Sequence, residues 1–170
     1  MSLHEERIGS KRWMMLGEED SARLDAILSE FLTVSGAKCA LLVDKDGYLV
    51  TQQGETLSVD HDTISALVAG GYGATKEIAR ILGEEEFSVM YHQGRRENIQ
   101  LTLVQDRALL TVIFDEQTTL GLVRLYSQEA AKKLGEVIRE IDESPASAPT
   151  ARLDRGFADN AKARLDSLFG

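Results

Sequence analysis

The chain has 170 residues, 43% of them hydrophobic, and a formal net charge of −9, which is enough for one well-cored domain and too little for two of ordinary size. That charge argues against nucleic-acid or anionic-membrane binding, both of which need a basic footprint. No apolar run reaches the roughly 18 residues needed to cross a bilayer, and the N-terminus lacks an apolar h-region, so a cytoplasmic protein is expected.

Residues 1–18 mix charge with Trp13, Met14, Met15 and Leu16 and show no period, so they are read as an N-terminal arm pinned at one end by that cluster. From Asp20 to Val34, Leu24, Ile27, Leu28 and Phe31 fall at helical spacing, and Gly36 supplies a stop. Cys39 to Val43 is a continuous apolar run, Asp44-Lys45-Asp46-Gly47 is a turn signal, and Tyr48-Leu49-Val50-Thr51 resumes β-favouring residues. This is a hairpin with a buried first strand. After a polar connection, Asp60 or Asp62 can cap a helix that Gly83 ends.

That helix carries Gly70, Gly71 and Gly73 in its middle, at a cost of about 1 kcal/mol each relative to alanine. At about 100° per residue, Ile64, Leu67, Val68, Gly71, Thr75, Ile78 and Leu82 gather on one arc, expected to pack on the domain's own core. Ala66, Ala69, Gly70 and Gly73 occupy the opposite arc, where a charged solvent face is the norm, and only Glu77 and Arg80 restore charge. One reading is a helix buried on both sides within one chain. The other is a smooth surface made for other subunits.

Three strands follow. Phe87, Val89 and Tyr91 alternate with Ser88, Met90 and His92; Ile99, Leu101 and Leu103 alternate with Gln100 and Thr102; Ala108 to Phe114 is apolar almost throughout and reads as the central strand. Leu120, Val123, Ala130, Leu134, Val137, Ile138 and Ile141 mark a last long helix. The order helix, two strands, helix, three strands, helix, with short loops between consecutive strands, predicts an α+β domain on a five-stranded antiparallel sheet. Residues 143–152 hold both prolines, Pro145 and Pro149, and read as a flexible linker. In the segment 153–170, Phe157, Ala161, Leu165, Leu168 and Phe169 have the spacing of a short amphipathic helix. Alone it is too short to hold in water and needs a surface; a frayed, solvated tail is the plainer alternative.

No self-contained active site emerges. Gly70-Gly71-Tyr72-Gly73-Ala74-Thr75-Lys76 fits neither the P-loop spacing nor G-x-G-x-x-G, because Lys76 stands where the last glycine belongs. His4, His61 and His92 lack ligand spacing. Cys39, the single cysteine, excludes an internal disulfide, argues against a metal site, and reads as core packing rather than a nucleophile. No cofactor is expected. Glu84-Glu85-Glu86 and the Asp44/Asp46 pair read as a charged loop and a turn, without the pocket that acid-base work needs. Arg95-Arg96 could stabilise phosphoryl transfer in trans, or be solvated turn residues.

The order of elements, with Ala40-Leu41-Leu42-Val43-Asp44-Lys45-Asp46-Gly47, Leu67-Val68-Ala69-Gly70, Phe114-Asp115-Glu116 and Leu120-Gly121-Leu122-Val123-Arg124-Leu125, resembles the roadblock/dynein-light-chain family. Within it the chain is similar to the MglB group, regulators of Ras-like GTPases of the MglA type. The match spans about residues 19–141 of a domain taken as 19–142, and the tail ending in Leu165-Asp166-Ser167-Leu168-Phe169 looks like that group's C-terminal segment. The resemblance implies a profilin-like roadblock fold and a homodimer joined at the third-strand edge, here Phe87, Val89 and Tyr91. It also implies paired central helices forming a platform for one small GTPase through Ala66, Ala69, Gly70, Gly73 and Glu77. Hydrolysis would be stimulated without an arginine finger, leaving Arg95 and Arg96 as spectators. Leu165, Leu168 and Phe169 would make a second contact with the same GTPase. Tyr72 and Glu77 are larger or more charged than that family leads one to expect here. A non-catalytic scaffold and a small-molecule sensor are the alternative functions.

Overall fold

The computed structural model describes residues 13, 16–55, 60–144, 163, 164 and 166–168. The chain divides into two units, Met1–Ile138 and Arg139–Gly170. The elements are α1 (Glu18–Ser35), β1 (Cys39–Asp44), β2 (Leu49–Gly54), α2 (His61–Ile81), β3 (Val89–Gln93), β4 (Asn98–Val104), β5 (Ala108–Phe114) and α3 (Leu120–Glu143). The second unit contributes the end of α3 and helical positions at 163, 164 and 166–168, among which Leu168 is exposed. Residues 145–152 of the linker, most of the arm, Leu165 and Phe169 lie outside the described residues.

The five strands form one antiparallel sheet in the order β2-β1-β5-β4-β3. β5, apolar almost from end to end, is buried at every residue and sits in the middle, as the sequence predicts. Cys39, Leu41, Val43 and Ile113, with Leu49 and Ile99 against them, fill one sheet face. α1 lies over β2 and β1 on the other face, where Ser29 Oγ donates to Gln53 Oε1 at 3.3 Å and the Thr51 hydroxyl donates to Asp25. α2 covers the first face: it packs on β1 and β2, and its Thr75 Oγ1 donates to Met90 Sδ of β3 at 3.0 Å.

Local chemistry explains where the elements stop. Asp60 caps α2 by accepting the Asp62 N–H at 3.0 Å and the Thr63 hydroxyl at 2.9 Å; these bonds hold its carboxyl below the usual range. Gly83, at φ +82°, turns the chain away while Glu84 N–H returns to Ala79 O at 2.9 Å. In the β1–β2 turn, Asp44 accepts the Asp46 N–H at 2.7 Å, and its other oxygen takes the Trp13 indole N–H. That bond ties Trp13 to the turn. At the opposite end of the sheet, Lys38 Nζ meets Glu97 at 2.7 Å, Asp115 at 3.6 Å and Glu55 at 3.9 Å, joining the β3–β4 turn to the ends of β5 and β2.

Two strand boundaries differ from the sequence reading: β2 runs on to Gly54, three residues into the expected polar connection, and β3 starts late. β3 begins at Val89, and Phe87 lies in the connection before it. The alternation in the sequence runs two residues further than the ladder, whose pairing with β4 starts at Val89↔Thr102.

Gly54 closes β2 at φ +102°, and a Cβ there would stand 2.3 Å from Lys38 O. Gly54→Ala is therefore expected to lower the unfolding free energy by about 2 kcal/mol or more. Urea denaturation checks this; an unchanged midpoint would contradict it.

Candidate functional site

The site is the face of α2 turned away from the sheet. Ser65, Ala69, Tyr72 and Ala79 are its buried residues, at i, i+4, i+7 and i+14, so the stripe lying on the sheet is small-sided apart from Tyr72. The expected orientation holds only in part: Ala66, Gly70 and Gly73 are exposed as expected and Ile64, Val68 and Thr75 are half-buried, but the helix is turned so that the other members of the expected core arc face out. Leu67 is 69% exposed, Ile78 51%, Leu82 68% and Ile81 81%, and Gly71 is exposed as well, whereas Ala69, expected on the outer arc, is buried. The physical reason is space. The sheet beneath α2 already carries Leu41, Val43, Leu101, Leu109 and Ile113, and small inward residues let the helix approach that layer without overfilling it.

Two contacts orient the rest of the helix. Thr75 touches Met90, so the arc Ile64, Val68, Gly71, Thr75, Ile78 and Leu82 faces the β3 side. A Cβ on Gly47 would lie 3.1 Å from Ala66 Cα, so Ala66 faces the β1–β2 turn. Between these flanks lie Leu67, Gly70, Ala74, Glu77 and Ile81, all exposed. Gly70, Gly71 and Gly73 each have open space where a Cβ would go. Their helix-weakening cost therefore has no return inside the protomer. Glu77 pairs with Arg80 at 2.9 Å, both well exposed, a pair of little energetic weight.

β3 is an edge strand, paired among the described residues with β4 alone. Val89 and Tyr91 are half-buried on it; Tyr91 stacks on Phe114 with ring centroids 6.1 Å apart, and its hydroxyl donates to Asn98 Oδ1 at 3.3 Å. Arg95 and Arg96 are exposed in the β3–β4 turn. Among the described residues no three His, Cys, Asp or Glu side chains are grouped to hold a metal ion, and no helix is long and apolar enough to cross a membrane. A crevice of about 60 Å³ between α1 and α3, lined by Ile27, Phe31 and Tyr126 among others, is too small for an ordinary organic ligand, and a wider hollow of about 610 Å³ beside Lys38, Glu55 and Asp115 is open and polar. Burial pushes the Cys39 thiol up to about 11.

An antiparallel sheet with helices on both faces, an open edge strand and a helix with an exposed apolar flank defines a small α+β domain. A Roadblock/LC7 domain model matches residues 23–114, and the chain belongs to that family. Among solved structures it is similar to Myxococcus xanthus MglB, at 32% identity and TM-score 0.72, covering 76% of this chain and 98% of that one. It is also similar to the gliding protein MglB of Thermus thermophilus, at 33% identity and TM-score 0.69, covering 74% and 95%. An uncharacterised Methanocaldococcus jannaschii protein is 28% identical over 113 residues, 65% of this chain and 96% of that one.

Two measurements follow. Gly73→Ala should stabilise the isolated chain by about 0.5–1 kcal/mol through helix propensity, read from its denaturation midpoint; a clear loss of stability would mean that Gly73 is already packed. Cys39, buried and with a raised pKa, should resist a thiol-specific disulfide reagent at about pH 8 in the native protein and react promptly once unfolded.

Proposed function

We propose that the chain is a homodimeric activator of GTP hydrolysis by a cytoplasmic Ras-like small GTPase of the MglA type. The observation that carries this reading is the outward apolar face of α2 lying beside the open edge of β3. Exposed leucines and isoleucines on a helix flank mark an interaction surface. In this reading the arc facing β3, with Ile78 and Leu82, meets its symmetry mate when two β3 edges join through Val89 and Tyr91. A self-complementary seam of that kind suits a two-fold dimer. Phe87 enters the seam from the connection before the strand. The similarity to MglB in two organisms supports the same assignment.

The paired helices then present Ala66, Gly70, Gly73 and Glu77 to the GTPase, while Ala69 supports them from beneath. Such a surface has little reactive chemistry to offer. Activation follows instead from preferential binding of the GTPase conformation in which its own catalytic groups and attacking water are aligned. Arg95 and Arg96, in the turn at the end of β3, need take no part. The C-terminal segment, through Leu165, Leu168 and Phe169, adds a second contact that favours the active form or nucleotide exchange.

The test is co-purification of the full chain with the Ras-like GTPases of its source organism, followed by GTP turnover with and without the chain. Stimulated turnover is expected, and binding without stimulation would identify a scaffold instead. Gly73→Arg, whose side chain enters open space, should keep the fold and abolish stimulation. Full stimulation by that variant would remove the platform from the mechanism. Ending the chain at Ser144 should preserve activation and weaken the second contact; unchanged affinity and exchange rate would leave the tail without a role.

A further inference from the structure

Tyr72 is the one large side chain on the buried stripe of α2, which otherwise consists of Ser65, Ala69 and Ala79. The residue is 4% exposed. Its hydroxyl donates to Glu86 Oε2 at 2.8 Å, and Glu86 lies in the connection between α2 and β3. Burial, reinforced by the neighbouring Glu86 carboxylate, pushes the phenol above its usual range, so it remains a donor throughout the working pH range. Beside this bond, Asp106 of the β4–β5 turn is held down by Lys45 of the β1–β2 turn and, more weakly, by Lys76 of α2. The only long lever on the buried stripe of α2 thus ends on the segment that leads into the edge strand.

We propose that Tyr72 is a positioning residue: its hydrogen bond to Glu86 sets the height and register of the outer face of α2 relative to the β3 edge. This inference rests on the activator reading above and names what holds the platform in its working geometry. Small inward side chains can slide over a sheet with little loss of contact area, whereas a buried ring tethered at its far end cannot. The α2 platform and the β3 edge must be in register for two protomers to present one surface. A GTPase aligned by that surface loses rate when the surface shifts, since displacements on the order of 1 Å have large effects on rate. Binding, spread over many contacts, changes less. The bond therefore bears on the maximal stimulated rate more than on affinity.

The experiment compares the full chain with its Tyr72→Phe, Glu86→Gln and Glu86→Leu variants, using the MglA-type GTPase of the source organism. Tyr72→Phe and Glu86→Leu are expected to lower maximal stimulated turnover by about three- to tenfold, with the half-saturating concentration within about twofold of the parent. Glu86→Gln keeps an acceptor oxygen and should stay near the parent. The Tyr72→Phe/Glu86→Leu double variant should be no worse than either single one, as expected for one shared interaction. Hydrogen exchange on the chain alone should show faster exchange confined to residues 82–89 and the β3 ladder. Unchanged maximal turnover in Tyr72→Phe overturns the proposal. So does a parallel fall of affinity, rate and thermal stability, which would indicate a purely structural bond. If the parent chain stimulates no GTPase, the activator reading fails by itself. The exchange pattern then decides the positioning role, and uniform or absent changes overturn it.

Discussion

The structure depends on how closely α2 can lie on a sheet face that is already full. Leu41, Val43, Leu101, Leu109 and Ile113 leave no room for a second layer of large side chains at short distance. The helix meets them with Ser65, Ala69 and Ala79, and with a single large side chain, Tyr72. Once that stripe is assigned inward, helical geometry sends Leu67, Ile78 and Ile81 outward. The protomer therefore satisfies its own core while leaving an apolar helix flank uncovered. Interior packing and outward stickiness are two consequences of one choice of side-chain size.

The order of the elements and several of their ends were legible because those ends carry a residue with a local physical effect. Asp60 caps, Gly83 and Gly36 adopt left-handed backbone, and the Asp44 carboxylate closes the turn that Gly47 completes. Alternation and helical period supplied the rest, and the unbroken run of β5 foretold its central place. The orientation of α2 was not legible in the same way. A period of 3.6 identifies an apolar arc but does not say whether that arc meets the chain's own sheet or another molecule. Leu67, Ile78 and Leu82 looked like core because apolar arcs usually are. A usable signal was present in the spacing of Ser65, Ala69 and Ala79, small residues on one face opposite a sheet composed of large ones. Phe87 failed differently: β-like alternation continued beyond the last paired residue, and alternation does not record where a neighbouring strand ends.

Polar groups turn this packing into a defined geometry. Lys38 gathers Glu97, Asp115 and Glu55 at one end of the sheet, drawn from three connections that would otherwise move independently. Such partly exposed ion pairs add little stability, but they tie together the loops that bear them. At the α2 end, Trp13 holds Asp44, Lys45 holds Asp106 and Tyr72 holds Glu86. Hydrophobic contact is non-directional, so a helix resting on small side chains gains its register from bonds of this kind.

The glycines complete the argument. Gly70, Gly71 and Gly73 weaken α2 by about 1 kcal/mol each, and none of the three is required by crowding inside the protomer. A sequence optimised only for the isolated fold would carry alanine at all three. Their presence is understandable if a backbone from outside must come closer to α2 than a methyl group permits, because only glycine allows that approach. Proteins commonly give up stability in this way where a surface has to work on another molecule. The same bareness limits what the surface can do. On the activator reading proposed above, its effect on a bound enzyme comes through the shape that enzyme is made to adopt.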